Sequence, residues 1–394
     1  MEEGGQMDPK LEFSQTLFAL RLRLRRSPVM ENDDGVIDEL RQQVLDAIDR
    51  DLMISVYQSC CEEFGWKPDP SHLSRYGARI AEEIQRLDDK IKDAEDNLGE
   101  SEVREAFLEK ALFFVRIADK EKALEALKAT EAKTVAIGQK IDLIFHILRI
   151  GFFCADFDLI SKNLDKAKSL FHGEGGDWER KNRLKVYEGL FFMATRNFKK
   201  AANLFLDSIS TFTSYELLPY TTFIFYTVLT SIVSLDRVAL KSKVVDAPEI
   251  LAVIRDVPHL SDFLNALYNC DYRTFFVAFA ALAEAIRKDR YLNPHFRFYL
   301  REARVVAYAQ FLESYKSVTM EAMAKAFGVS VEFFDAELAR FIASGRVNCK
   351  IDKVAGIISE TNRPDAKNAL YHATIKQGDV LLNRLQRLSR VIDM

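Results

Sequence analysis

Six histidines, five cysteines and several adjacent acid pairs are the side chains with which this 394-residue chain could hold a metal, attack a carbonyl or move a proton. Their spacing argues against all three. His72, His146, His172, His259, His295 and His372 are nowhere closer than 26 residues in sequence, so there is no H-E-x-x-H helix and no His-x-His pair to seat zinc. Cys60, Cys61, Cys154, Cys270 and Cys349 are odd in number and lack C-x-x-C spacing, a pattern of reduced thiols rather than a disulfide framework. Cys60-Cys61 invites a redox reading, but adjacent cysteines form strained disulfides, and two half-buried thiols on a helix are expected. The Gly173–Gly176 stretch resembles a phosphate cradle, yet no Gly-Lys-Ser/Thr follows it. An interhelical loop before a helix starting at Asp177-Trp178 is expected instead. Glu62-Glu63 and Asp88-Asp89 are assigned to solvated faces. No G-x-S-x-G or G-x-G-x-x-G occurs. No catalytic residue, cofactor or metal is therefore assigned, and the chain is not expected to be an enzyme.

The elements that would have to position any site are helical. Only 16 Gly and 9 Pro punctuate the chain, which favours long helices over strands and turns. Lys plus Arg number 55 against 59 Asp plus Glu, a formal net charge of −4, so no bulk attraction to nucleic acid or an anionic membrane is expected. Glu2 and Glu3 stand where a signal peptide needs positive charge. Leu217–Leu235 has no charged residue and is long enough to suggest a span. Its many hydroxyls, from Tyr220 and Thr221 to Ser234, and Pro219 fit a buried helix better.

Periodicity organises the rest. Residues 1–35 lack it and are expected to be loosely ordered, apart from a basic helical turn over Leu17–Arg26. Val36, Leu40, Val44 and Ile48 mark one helix, and Leu52–Glu63 a second. Ile80, Ile84, Leu87, Ile91, Ala94 and Leu98 are spaced four, three, four, three, four. That seam covers fewer than three heptads and describes a charged helix laid against its neighbour rather than a coiled coil. Further on, Ala111, Phe114, Ala123 and Leu127 are matched by Gly189, Phe192, Ala201 and Phe205 with identical internal spacing. These are the small and large positions of a tetratricopeptide-type helical hairpin, with Gly151 the expected small position of an intervening pair over Ile141–Cys154 and Leu159–Phe171. The matched copies lie 78 residues apart, giving a period nearer 39 than the 34 of the standard repeat, so the hairpins are TPR-like. Helices over Phe223–Leu235, Ala247–Ile254, Leu260–Asn269 and Tyr272–Arg287 follow, and Phe275, Phe276 and Phe279 are expected to be core.

Arg301–Glu360 has the order of a winged helix. A helix over Arg301–Tyr315 precedes one capped by Thr319 and ended by Gly328. Ser330 caps the next, which carries Val331, Phe334, Leu338, Phe341 and Ile342 and stops at Gly345. Val347–Ile351 and Gly356–Ser359 flank a turn at Asp352–Ala355 and are expected to form a hairpin. A groove-reading helix needs cations for phosphates. This one offers Glu332, Asp335 and Glu337 against Arg340, so protein binding is expected. The chain then ends in a helix expected over Asp365–Asp393, with Gly378 its weak point. Leu381, Leu385, Leu388 and Ile392 form one apolar stripe, with Val380, Leu382 and Val391 beside it.

Helical repeats running without a linker into a winged helix and then an amphipathic helix resemble the PCI-domain family. That family is named for the proteasome lid, the signalosome and translation initiation factor three. The runs Asn97-Leu98-Gly99-Glu100-Ser101-Glu102, Gly175-Gly176-Asp177-Trp178, Arg183-Leu184-Lys185-Val186-Tyr187, Ser210 to Leu217, Cys349 to Val354 and Glu360 to Asp365 resemble PCI subunits of the proteasome regulatory-particle lid, over roughly residue 70 to the end. The resemblance implies a mainly α fold: a TPR-like helical-repeat solenoid, then a PCI module of helical bundle plus winged helix with a small β-hairpin, then a C-terminal helix. The corresponding domains are 1–72 (helical or partly disordered), 73–213 (repeats), 214–362 (PCI, with the winged helix at about 301–360) and 363–394 (assembly helix). It further implies a scaffold subunit of a hetero-oligomer in cytoplasm and nucleus, supporting degradation of ubiquitinated proteins. Its partners would be the other PCI subunits of the lid, with ATPase-ring subunits as further candidates and neither nucleic acid nor membrane. Leu381, Leu385, Leu388 and Ile392 would enter a bundle of C-terminal helices, and Asn348, Lys350, Asp352 and Lys353 on the wing would meet a neighbouring module. A signalosome subunit, another PCI complex or a PCI-type RNA adaptor is the alternative.

Overall fold

The computed structural model describes residues 7–25, 34–171, 177–360 and 366–392; the Gly173–Gly176 stretch lies outside the described residues. Among them are nineteen α-helices and one three-stranded sheet, a mainly α fold as expected. The chain divides into two compact units, Met1–Ser261 with Ala281–Arg297 and Asp262–Ala280 with Phe298–Met394.

The first unit opens with α1 (Pro9–Leu24), α2 (Asp34–Asp51), α3 (Ile54–Phe64) and α4 (Pro70–Asn97). α1 corrects the expectation of a loosely ordered N-terminus. Asp8 caps it by accepting the Lys10 N–H at 2.9 Å, and Pro9 takes the first position. Phe13, Leu17 and Leu20 join Val44 and Ile48 of α2, Met53 just before α3, and Cys60 of α3 in one apolar cluster. Lys10 Nζ meets Asp51 Oδ2 at 2.8 Å and Arg149 Nη1 meets Asp8 Oδ2 at 3.2 Å. The loop after residue 288 closes over the same helix. Arg290 donates to Ser14 Oγ and, at 2.7 Å, to the Phe153 carbonyl. On α4, Leu87, Ile91 and Ala94 are buried as the seam requires, but Leu98 lies past the helix end and is 54% exposed. Cys60 and Cys61 are both buried rather than half-buried.

Helix pairs follow: α5 (Glu100–Arg116) with α6 (Lys120–Ala132), α7 (Ile137–Cys154) with α8 (Phe157–Phe171), and α9 (Trp178–Ala194) with α10 (Phe198–Ser208). Their turns repeat. Ala118, Ala155 and Arg196 are left-handed, with φ of 57°, 54° and 68°. The next residue in each case, Asp119, Asp156 or Asn197, bonds back through its N–H to Phe114, Gly151 or Phe192. Each then caps the following helix with its side chain, 3.0–3.3 Å from the third N–H onward. Aligned on these caps, Gly151 corresponds to Phe114 and Phe192, not to Ala111 and Gly189 as expected. The middle pair exchanges bulk across the helix contact: Ile160 stands where Ala123 and Ala201 stand, and a Cβ on Gly151 would lie 2.6 Å from Ile160 Cγ1. At Gly189 a Cβ would lie 2.6 Å from Phe205 Cε1, so close helix approach is real at both places.

α11 (Tyr220–Ser234) is the uncharged segment, and it is buried. Thr227 and Thr230 donate to the Phe223 and Tyr226 carbonyls, both at 2.8 Å, which satisfies those hydroxyls locally. No helix among the described residues is long and apolar enough to cross a membrane. α12 (Arg237–Leu240), not expected from sequence, continues into a π-helical turn, Lys241–Val245, before α13 (Pro248–Val253). Half-buried Asp289 accepts the Tyr226 hydroxyl at 2.5 Å and the N–H groups of Tyr291 and Leu292 at 2.8 and 2.9 Å.

The second unit holds α14 (Leu260–Tyr268), α15 (Tyr272–Lys288), α16 (Phe296–Glu313), β1 (Ser317–Thr319), α17 (Met320–Phe327), α18 (Val331–Ala343), β2 (Cys349–Asp352), β3 (Ile357–Glu360) and α19 (Ala366–Ile392), though the end of α15 and the starts of α14 and α16 fall in the first. Tyr308 of α16 centres its core, with the rings of Phe276, Phe327, Phe334 and Phe341 at 4.9–6.1 Å. Thr319 and Ser330 cap α17 and α18 as expected, and Gly328 and Gly345 are left-handed at φ 67°. The expected hairpin gains a third strand. β1 pairs with β3 through Val318 opposite Ile358, giving the order β1-β3-β2, so β3 is central and β2 is an edge.

Candidate protein-docking surfaces

α19 is a 27-residue helix whose side chains are exposed wherever they are described. Asp365 and Asp393 of the expected range lie outside the described residues. Straight-chain and Leu-rich helix formers dominate it, and Gly378 does not break it, correcting the expected weak point; a Cβ there would meet nothing within 4 Å. Leu381, Leu385, Leu388 and Ile392 are 59, 58, 55 and 72% exposed. They fall on one face because their spacing is four, three, four. Leu370 falls on the same face nearer the start of the helix, and Tyr371, Ile375 and Leu382 lie along one flank of it; all four are exposed too. Exposed apolar residues on α19 thus begin about three turns before the stripe expected from the sequence. Aliphatic side chains gathered on one uncovered face mark a surface built to be covered.

The wing presents the second surface. Asp352 is committed to its own turn, its Oδ1 accepting from Val354 N at 2.9 Å and Ala355 N at 3.2 Å, and Gly356 follows at φ 64°. Lys353 Nζ reaches back to Asp335 Oδ2 on α18 at 2.9 Å. Asn348 and Lys350 are exposed on the edge side; all four wing residues are thus exposed, and two of them, Asp352 and Lys353, are also engaged within the module. An edge strand carries unpaired backbone donors and acceptors. Val354 at the wing tip is 99% exposed, and Val331 and Phe333 at the start of α18 are exposed as well. Of the apolar residues expected on this helix, Val331 is exposed whereas Phe334, Leu338 and Phe341 are buried.

α18 corrects the argument from charge. Glu337 does not face a groove. It is buried, 2.9 Å from Arg304 Nη2 and accepting the Tyr308 hydroxyl at 2.8 Å. Asp335 is half-buried and paired with Lys353, so Glu332 and Arg340 are the charges left on the open face. That face is near neutral and still lacks the cluster of cations that phosphates need.

No group of three or more His, Cys, Asp or Glu among the described residues is placed to hold a metal. Burial pushes the Cys60 and Cys349 thiols up to about 11, away from nucleophilic thiolates. His146 accepts from Arg149 Nη2 at Nδ1, 2.7 Å. Burial, then the Arg149 charge, brings its pKa down to about 3, leaving it neutral at physiological pH.

Comparison with known proteins bears on both units. Residues 69–243 match the 26S proteasome subunit RPN7 family, residues 272–360 the PCI domain, and residues 371–392 the C-terminal helix of 26S proteasome regulatory subunit RPN7/PSMD6. The "26S proteasome non-ATPase regulatory subunit 6" of Oryza sativa subsp. japonica is 66% identical over 392 residues, covering 100% of this chain and 98% of that protein. The chain belongs to the 26S proteasome subunit RPN7 family. Its Arabidopsis thaliana relative, named a homolog of the same subunit, is 63% identical over 99% of this chain and 98% of its own length. The Schizosaccharomyces pombe "26S proteasome regulatory subunit rpn7" is 39% identical over 100% and 98%. The RPN7-family helix match begins at Tyr371, the first turn of the apolar face found on α19.

Proposed function

We propose that the chain is a non-catalytic scaffold subunit of the lid of the 26S proteasome regulatory particle, joined to sister PCI subunits through α19 and, secondarily, through the edge of its wing. It would support degradation of ubiquitinated proteins by holding other subunits in place. One observation carries this: a 27-residue helix, α19, whose large apolar side chains from Leu370 to Ile392 are all exposed. Burying Leu381, Leu385, Leu388 and Ile392 would contribute on the order of 6–10 kcal/mol before entropy losses. Family membership and the relatives' names support the setting. Five free thiols support a reducing compartment, cytoplasm or nucleus.

The test is a Leu385→Asp, Leu388→Asp chain expressed in place of the parent. The expected result is a folded, soluble subunit, with unchanged circular dichroism outside α19, that no longer co-purifies with the regulatory particle. Normal incorporation of that chain would refute the proposal.

A further inference from the structure

We propose that α19 chooses its partner by charge as well as by apolar area, docking against a helix of another chain that carries a row of Asp and Glu along one edge. The inference rests on the docking role proposed above and names the chemistry of the occupant.

Successive helix residues turn by about 100°. Centred on the stripe of Leu381, Leu385, Leu388 and Ile392, one flank of α19 holds Arg384, Arg387 and Lys376, interleaved with Val380 and Val391. The opposite flank holds Leu382 and Ile375 and then Gln386, Ser389 and Asn368, with no cation. Over residues 366–392 there are five cations, Lys367 in line with the stripe at the start of the helix, Lys376, Arg384 and Arg387 on the one flank and Arg390 on the back, against one carboxylate, Asp379, which neighbours Lys376 but is turned from Arg384 and Arg387. Arg384, Arg387 and Lys376 have no carboxylate partner among the described residues. A helix docked on the apolar face would pass beside Arg384 and Arg387, and acidic residues there would be drawn into line with the guanidinium groups. Placing charge on one edge alone also fixes which way the partner lies, since the reversed arrangement leaves the cations unmatched.

Two other occupants fit less well. A second copy of α19 would bring the same excess of cations and a single carboxylate to meet them, so like charges would oppose each other. A membrane-surface helix carries cations along both edges of its apolar face, where they reach outward to lipid phosphates; here one edge has none.

The experiment uses the full chain assembled into the regulatory particle in cells. Arg384→Glu with Arg387→Glu should enter the complex about tenfold less well than the parent, while Arg384→Lys with Arg387→Lys stays close to it. Asn368→Glu with Gln386→Glu, on the other flank, should incorporate like the parent. Assembly of the parent should weaken as ionic strength rises, and that dependence should flatten in the charge-reversed chain. A photo-crosslinker at position 384 should capture a helical peptide rich in Asp and Glu. If the charge-reversed chain incorporates normally while Leu385→Asp does not, the charge inference is overturned and the docking role stands. If Leu385→Asp also incorporates normally, the docking role itself has failed. Capture of a second copy of this chain, or charge-dependent binding of the parent to phosphatidylserine vesicles with no loss of assembly on reversal, would likewise overturn the inference.

Discussion

Replacing Gly189 by Ala tests whether helix approach, rather than helix propensity, decides stability in the repeats. An added Cβ would lie 2.6 Å from Cε1, 2.8 Å from Cδ1 and 3.3 Å from Cζ of Phe205. Carbon atoms prefer separations of about 3.5–4.0 Å, so the ring would have to retreat by roughly 1 Å. It has nowhere to go: Phe205 is fully buried and meets Phe223 edge-on at 5.4 Å. Overpacking of this kind costs about 1–3 kcal/mol. Against it stands the gain of about 0.5–1 kcal/mol for Gly to Ala within a helix. The net expectation is a loss of about 1–2 kcal/mol, a fall in Tm of roughly 3–6 °C for a unit of this size. Urea and thermal unfolding followed by circular dichroism would measure it. Phe205→Leu vacates the space the methyl needs, so the double variant should be more stable than the summed single effects by at least about 0.5 kcal/mol. A Gly189→Ala chain more stable than the parent, or strictly additive effects, would refute the reasoning.

His146 and Glu337 make two further predictions. Because the native His146 refuses a proton until about pH 3 while the unfolded residue accepts one near pH 6.5, stability attributable to it is intact above pH 6.5 and lost as pH falls toward 3. Lowering pH from 7.5 to 5.5 should cost about 1.4 kcal/mol, and His146→Gln should remove that part of the slope; parallel slopes for the two chains in urea titrations would contradict the assignment. Glu337→Ala would strip Arg304 and the Tyr308 hydroxyl of their shared acceptor and should destabilise the winged helix by about 2–3 kcal/mol. Hydrogen exchange of the α16 and α18 amides would report it, and protection equal to the parent's would count against a structural Glu337.

How much of this was visible in the sequence depended on how many sides of an element are covered. The winged helix was legible because its boundaries rest on residues with a single local job: Thr319 and Ser330 as caps, Gly328 and Gly345 as left-handed stops. α19 was legible because one face is apolar and none of its large apolar side chains is buried among the described residues. α1 was not. Neighbours cover it on more than one side, so Lys10 and Ser14 are buried along with Phe13 and Leu20, and no stripe remains to be found. β1 escaped notice because three residues are too few to alternate, and its strand character comes from pairing with β3.

The repeats show the same limit from the other side. Matching residue sizes found the first and third pairs and misplaced Gly151 in the second, because there the bulk has moved from one helix to its partner. The feature that does not move is the cap. Asp119, Asp156, Asn197, Asp236 and Asp271 each accept an N–H three residues on, at intervals of 37, 41, 39 and 35 residues. A cap answers to the backbone of its own turn, so it is fixed locally; a small or large side chain answers to whatever packs opposite, so only the sum across the contact is held. The same distinction separates Glu337 from Glu332. Both are acids on α18, yet which one faces solvent is decided by Arg304 and Tyr308 on another helix, and that pairing is invisible until α16 is in place.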